Sequence, residues 1–190
     1  MSDIRTKWNE RWREKAVSSK GPDSWLSEVL PLLPGGRALD LACGNGRNAL
    51  FLAERGLSVT ALDISEEALA QLQKEAADRG LEVETRQVDL EADPRLPPDA
   101  FDLAIDFFFL YRPLLPFLLR SVRPEGVAIL RTFSRAGPFP GGPENPDFVM
   151  QPGELLEIFK GWEILRYEEG LEASRKGGSL AGIVARRPKK

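Results

Sequence analysis

The stretch Cys43-Gly44-Asn45-Gly46-Arg47-Asn48-Ala49 sets Gly44, Gly46 and Ala49 at the spacing G-x-G-x-x-[GA], and Asp63 follows Gly44 by 19 residues. Glycines at such a turn let the backbone come close to a ligand, and a carboxylate at that distance can accept two hydrogen bonds from a ribose diol. A dinucleotide is one ligand for this arrangement. Asp40 argues against it. It stands four residues before Gly44, inside an apolar run, where a carboxylate is costly to bury unless it meets a cation or hydrogen-bond donors. An ammonium group would suit Asp40; a pyrophosphate would not. The ligand expected here has an amino-acid tail rather than a second phosphate. Val88-Asp89-Leu90 adds an acid that can accept from an exocyclic adenine amine and a leucine for the ring face. Asp89 taken alone reads more often as an ordinary loop residue.

These residues need a scaffold that brings loop ends together. Arg37–Ala42 is a short apolar run between Pro34-Gly35-Gly36 and Gly44, the pattern of a buried strand. A helix over 47–55 closes at Gly56, a second strand covers 57–62, and Ser65 caps a helix with Glu66 and Glu67 in its first turn. Ala68, Leu69, Leu72 and Ala76 give that helix one apolar face, and Gly80 ends it. Further strands are expected over 81–88, 101–107 and 127–133, with a helix over 114–122. A helix over 154–159 follows, and then an antiparallel pair, 163–167 and 180–185. Alternating strands and helices imply a three-layer α/β fold with a mostly parallel sheet. The expected organisation is one domain. A helical N-terminal cap (1–34) precedes the ligand-binding core (35–133), a ligand-side loop (134–152) follows it, and a C-terminal helix and strand pair (153–190) complete it.

Composition narrows the chemistry. The 190 residues contain no histidine and one cysteine, so a histidine base, a histidine triad, a disulfide and a multi-cysteine zinc site are all excluded. No metal site is expected. Lys+Arg 26 against Asp+Glu 29 gives a net charge of −3, which argues against a nucleic-acid partner. No apolar run approaches the roughly 18 residues of a membrane span, and the charged start lacks a secretory pattern, so a cytoplasmic location without membrane attachment is expected. The oligomeric state is not readable.

Ala38 to Arg47, Thr60-Ala61-Leu62-Asp63-Ile64-Ser65 and Val88-Asp89-Leu90 resemble the first three motifs of class I S-adenosylmethionine-dependent methyltransferases. Phe101 to Ile105 and Leu119 to Ile129 resemble the later ones. Trp8-Asn9-Glu10-Arg11-Trp12 and Gln151-Pro152-Gly153-Glu154-Leu155 are similar to the small-molecule branch that contains the tellurite-resistance methyltransferases. The resemblance implies a Rossmann-like sheet of seven strands, order 3-2-1-4-5-7-6, with the last strand antiparallel. It implies S-adenosylmethionine as cofactor, with Asp40, Cys43, Gly44 and Gly46 at its methionine end. Asp63 and Ile64 would then lie at the ribose, Asp89 and Leu90 at the adenine, and Asp106 and Phe107 beside the methyl group.

Methyl transfer from a sulfonium is a displacement on an activated carbon, so alignment alone can carry much of the rate. The missing histidine therefore favours soft, readily ionised nucleophiles such as thiols or selenium and tellurium oxyanions. No residue is identified as a base. Two other functions stay open, an NAD-dependent oxidoreductase and a protein that binds the cofactor without catalysis. Trp8, Arg11 and Trp12 share one helical face, read either as a lid with Arg11 facing the cofactor or as a helix docked through its indoles. Phe107, Tyr111, Phe139 and Phe148 are candidate pocket residues, with Met150 beside them. The 134–152 loop reads as a substrate-side lid or as a mobile connection.

Overall fold

A computed structural model describes residues 2–14 and 21–189; residues 15–20 of the expected N-terminal cap, like Met1 and Lys190, lie outside the described residues. In chain order the elements are α1 (Ser2–Glu14), α2 (Ser24–Val29), β1 (Arg37–Leu41), α3 (Arg47–Ala53), β2 (Ser58–Asp63), α4 (Glu66–Asp78) and β3 (Val83–Gln87). There follow β4 (Phe101–Phe107), α5 (Leu115–Ser121), β5 (Val122–Ser134), β6 (Val149–Met150), α6 (Glu154–Ile158), β7 (Glu163–Ala173) and β8 (Ser179–Arg186).

The strands form one sheet in the order β3-β2-β1-β4-β5-β8-β7, parallel except where β8 runs against both neighbours. The expected order holds, but the sheet has eight strands rather than seven, because the two-residue β6 pairs parallel with Phe133 and Ser134 of β5. Strand β5 also begins at Val122, five residues earlier than the apolar run suggested. Arg123-Pro124-Glu125-Gly126 continues the strand through an irregular register, in which Val122 pairs Phe101 and Val127 pairs Leu103.

Alternation along the strands builds two apolar layers. Ala38, Leu103, Ile105, Ile129 and Val184 pack with Trp25, Leu50, Phe51 and Leu72 on the side of α2, α3 and α4. Leu39, Leu41, Ala104, Leu130 and Ile183 pack with Leu118, Leu155 and Phe159 on the side of α5 and α6. Helix α4 starts where Ser65 Oγ accepts from the Ala68 amide at 3.2 Å, and it buries Ala68, Leu69, Leu72 and Ala76 as its pattern predicts. No helix among the described residues is long and apolar enough to cross a membrane.

Trp25 is fully buried, and its ring lies where β8 lacks a side chain: a Cβ on Gly182 would come within 2.8 Å of the indole. The Gly182 backbone is compatible with any residue, so space alone makes glycine necessary there. Gly182→Ala is expected to cost about 1–3 kcal/mol through overpacking, read as a lower urea midpoint with an unchanged slope.

Candidate functional site

The carboxyl ends of β1, β2 and β4 converge where an open parallel sheet leaves a crevice for ligands. After β1 the chain turns through left-handed residues, with φ of 49° at Ala42, 56° at Gly44 and 78° at Gly46. Gly46 forms the N-terminal boundary of α3, and a Cβ there would lie 2.2 Å from Leu72, so both conformation and space require glycine. The Cys43 amide donates to Leu62 O at 2.9 Å and the Gly46 amide to Cys43 O at 3.0 Å, which fixes the loop against β2.

Asp63 ties this loop to the next helix. Its Oδ2 accepts from the Gly44 amide and its Oδ1 from the Ser65 amide, both at 2.8 Å. Each carboxylate oxygen retains acceptor capacity for a second donor. Burial raises the pKa of Asp63, while hydrogen bonds from the Ser65, Gly44 and Ile64 backbone oppose the rise. Ile64 is half-buried beside it, and its carbonyl accepts from Gln87 Nε2 at 3.1 Å.

Two other carboxylates lie deeper. Asp40 is buried in β1; its Oδ2 has no hydrogen-bond partner, and a backbone hydrogen bond from Ala49 is its local support. Burial, and secondarily the charge of Asp63, push its pKa up to about 8 against the opposing pull of Arg47. Asp106, at the end of β4 beside Leu41 of β1, is fully buried. Its Oδ1 accepts from the Phe109 amide at 3.3 Å and its Oδ2 is unpartnered. Burial raises Asp106 well above the usual carboxylate range, and Asp40 adds to the rise. Two buried acceptors without donors, next to a glycine turn, call for a ligand that brings positive charge or donors of its own.

The remaining expected residues divide. Leu90 is buried and Asp89 half-buried; Asp89 Oδ1 accepts from the Glu91 and Ala92 amides, both at 3.1 Å, and among the described residues Oδ2 has no protein donor. Cys43 is held as a thiol, its pKa raised by burial and by Asp40 and Asp63, with Sγ donating to Gly44 O. Phe107 is buried at the end of β4, and Tyr111 is half-buried with its hydroxyl donating to Glu91 O at 3.2 Å.

Helix α1 covers the glycine turn. The Trp12 ring sits over Gly44, where a Cβ would come within 2.5 Å of it, and the Trp12 carbonyl accepts from Gln71 Nε2 at 2.8 Å. Buried Asn9 accepts from the Ser65 hydroxyl at 2.7 Å and donates to Glu66 at 3.2 Å, and Arg13 pairs with Glu67. The inward face is therefore Asn9 and Trp12 with half-buried Trp8. Arg11 does not share it. Its side chain is exposed and stacks on Trp8 at 4.8 Å, because the contacts to Ser65 and α4 turn positions 9 and 12 inward.

The loop after β5 is stitched down rather than loose. Arg112 grips Glu154 through two nitrogens and also donates to Asp147 O and Val149 O. The Phe139 amide donates to Ser179 Oγ and the Gly178 amide to Pro140 O. Phe139 is 36% and Phe148 49% exposed, so these rings line no enclosed pocket; Met150 is buried in the core instead. Hydrogen bonds to the β7–β8 hairpin, invisible in local sequence, hold the loop in this position.

Sequence reading passed over four side chains at this end of the sheet: Asn9, Asp23, Asn48 and Arg131. Asn48 Oδ1 accepts from the Asp23 amide, and Asp23 caps α2 while pairing with Arg47 at 3.2 Å. Asn9 and Asn48 stand inside the quoted motifs without a role of their own, and Arg131 is a charge inside the apolar run 127–133.

The cationic, ribose-bearing cofactor implied by the motifs fits this donor set. Asp40 and Asp106 offer free buried carboxylate oxygens to a positive group, and Asp63 keeps capacity for ribose hydroxyls. Residues 38–126 match the family described as a methyltransferase domain. The probable S-adenosyl-L-methionine-dependent methyltransferase TehB of Haemophilus influenzae is 29% identical over 71% of this chain and 49% of its own length. A ubiquinone biosynthesis O-methyltransferase of Pseudomonas entomophila is 31% identical over 59% of this chain and 50% of its own. The chain thus spans about half the length of the curated relatives it matches. The crystal structure of TehB from Haemophilus influenzae superposes with a TM-score of 0.78 at 21% identity, covering 95% of this chain and 67% of that one. Strand order, glycine turn and free carboxylates agree with the matched relatives: residues 38–126 carry a methyltransferase domain, and the chain is similar to TehB in sequence over 71% of its length and in fold over 95%.

Proposed function

We propose that this chain transfers a methyl group from S-adenosylmethionine to a small nucleophile, a thiol or a selenium or tellurium oxyanion, in the cytoplasm. The observation that carries the reading is the pair of buried, unpartnered carboxylate oxygens on Asp40 and Asp106 beside the glycine turn. A dinucleotide pyrophosphate would bring negative charge to the same place, which disfavours the oxidoreductase reading.

The cofactor supplies an electrophilic methyl group on a positively charged sulfur. Asp40 and Asp106 hold the cationic end, the Gly44–Gly46 turn with Cys43 lets the backbone approach it, and Asp63 with Ile64 orients the ribose. Asp89 and Leu90 would hold the adenine, the carboxylate as an acceptor for its amine and the leucine against the ring. Phe107 and Tyr111 border the acceptor. Trp8 and Trp12 on α1 exclude water from the glycine turn. With the donor activated and the acceptor ionised, the residues contribute mainly alignment, for which effective molarities of about 10⁵–10⁸ M are attainable.

Calorimetry with S-adenosylmethionine, its demethylated product and NAD tests the cofactor. Binding of the first two and silence with NAD is expected; the reverse overturns the reading. A labelled-methyl screen over thiols, selenite, tellurite, amines and small phenols tests the acceptor. Turnover confined to amines or phenols would reject the soft-nucleophile assignment, and binding without turnover on any of them would favour a non-catalytic role.

A further inference from the structure

Arg131 lies within the apolar run of β5 with 2% of its side chain exposed. A buried guanidinium is costly, and an ion pair in its place adds little stability over a well-packed apolar residue. Its surroundings match its charge only in part. Nη2 lies 2.6 Å from Glu172, the guanidinium stacks over Trp25 at 4.8 Å, and Nε has no hydrogen bond, its nearest described carboxylate oxygen being Asp23 Oδ1 at 3.5 Å. Asp23 is already engaged by the Trp25 amide and by Arg47. Asp23 is thus a shared, longer-range counter-ion, and the hydrogen-bonded one among the described residues is Glu172, whose side chain is 48% exposed and sits where the β7–β8 register is broken between Glu169 and Ala173.

The position is next to the proposed methyl-transfer site. Arg131 pairs in register with Phe107, the residue after Asp106, and its carbonyl accepts from the Phe108 amide at 2.8 Å. Opposite it on β8 stands Gly182, whose missing side chain makes room for the Trp25 indole on which the guanidinium stacks. Arg135 just beyond β5 and Arg175 and Lys176 in the β7–β8 turn are exposed at the same end of the sheet, and among the described residues no ion pair occupies them. Such a rim draws anions towards this end of the sheet although the whole chain is slightly acidic.

We infer that Arg131 is the anion subsite for the methyl acceptor, and that Glu172 is an intrinsic counter-ion which the acceptor's carboxylate or oxyanion displaces. The inference rests on the methyltransferase reading and narrows it: the acceptor is a small nucleophile carrying a negatively charged oxygen group. The Nε–Nη2 edge of a guanidinium is a two-donor fork matched to such groups, and here one of its two donors is unused.

The full chain saturated with S-adenosylhomocysteine is titrated calorimetrically with mercaptoacetate, with selenite and with uncharged 2-mercaptoethanol. Glu172 is half-exposed, and removing a competing solvent-facing carboxylate of this kind is worth about fivefold in an equilibrium constant. Glu172→Gln is therefore expected to tighten at least one of the two anions by about fivefold and to leave 2-mercaptoethanol unchanged. Whichever anion responds identifies a carboxylate or an inorganic oxyanion as the source of the charge. Arg131→Gln, checked for folding by circular dichroism, is expected to abolish anion binding and retain S-adenosylhomocysteine binding. Unchanged anion affinity in Glu172→Gln, no anion binding to any form, or equal tightening of the neutral thiol overturns the subsite. Failure of the methyltransferase reading shows separately, as absent S-adenosylhomocysteine binding, and the anion titrations are then run on the chain alone.

Discussion

Asp63→Ala is expected to lower the stability of the cofactor-free chain by about 3 kcal/mol and to weaken S-adenosylmethionine binding by roughly 100-fold. The two effects come from the same carboxylate by different routes. In the free chain, Asp63 joins the glycine turn to the start of α4 through the Gly44 and Ser65 amides, each at 2.8 Å. Hydrogen bonds to a charged acceptor contribute about 1.5–3 kcal/mol each, and truncation leaves two buried amides without partners. The remaining acceptor capacity of the same oxygens would take the ribose hydroxyls, and two further hydrogen bonds at about 1.5 kcal/mol each give the affinity loss. Urea unfolding without cofactor measures the first effect and calorimetry the second. Unchanged stability would mean that the α1 contacts, not Asp63, hold this corner. Unchanged affinity would remove Asp63 from the ribose role.

The residues that local patterns exposed are those whose neighbours in sequence are also their neighbours in space. Gly46 is legible because a left-handed turn before α3 needs glycine, Ser65 because its hydroxyl caps α4 three residues on, and β1, β2 and β4 because buried parallel strands are continuous apolar runs. What escaped was set by long-range contacts. Arg11 shares a helical stripe with Trp8 and Trp12, yet Asn9 and Arg13 decide how α1 docks, through Ser65, Glu66 and Glu67 more than fifty residues away. Phe139 and Phe148 have the composition of pocket walls, but Ser179, Pro140 and Arg112 hold their loop so that both rings face solvent. The segment Arg123-Pro124-Glu125-Gly126 could not be recognised as part of β5, because its pairing with β4 is irregular just there. Asp40 lies between these cases. Its place in an apolar run is visible in sequence, but the missing partner of its Oδ2 is a property of the folded interior alone.

That missing partner leads to the second large effect. With its pKa pushed up to about 8, Asp40 is mostly protonated in the free chain at neutral pH, and the cationic end of the cofactor requires the carboxylate. Binding should therefore release close to one proton per cofactor below pH 7, and affinity should rise about tenfold from pH 6 to pH 7. Calorimetry in buffers of different ionisation enthalpy counts that proton directly. The stability of the cofactor-free chain must run the other way. Asp40, Asp63 and Asp106 all have raised pKa values, so between about pH 4 and pH 8 the folded chain holds protons that the unfolded chain has lost. Stability is then greatest at the acid side of this window and falls as pH rises towards 8. Glu84, Asp93 and Glu154 have lowered values, and their opposing contribution is confined to more acid solution. Asp40→Asn keeps the shape and removes the titration. It should flatten part of the stability profile, abolish the proton release and weaken cofactor binding by about 100-fold, the scale of a lost charge-assisted contact in a buried site. If the wild-type chain bound the cofactor with no proton release and equal affinity at pH 6 and pH 7, Asp40 would not be the seat of the ammonium group. The free oxygen of Asp106 would then be the remaining buried acceptor for it.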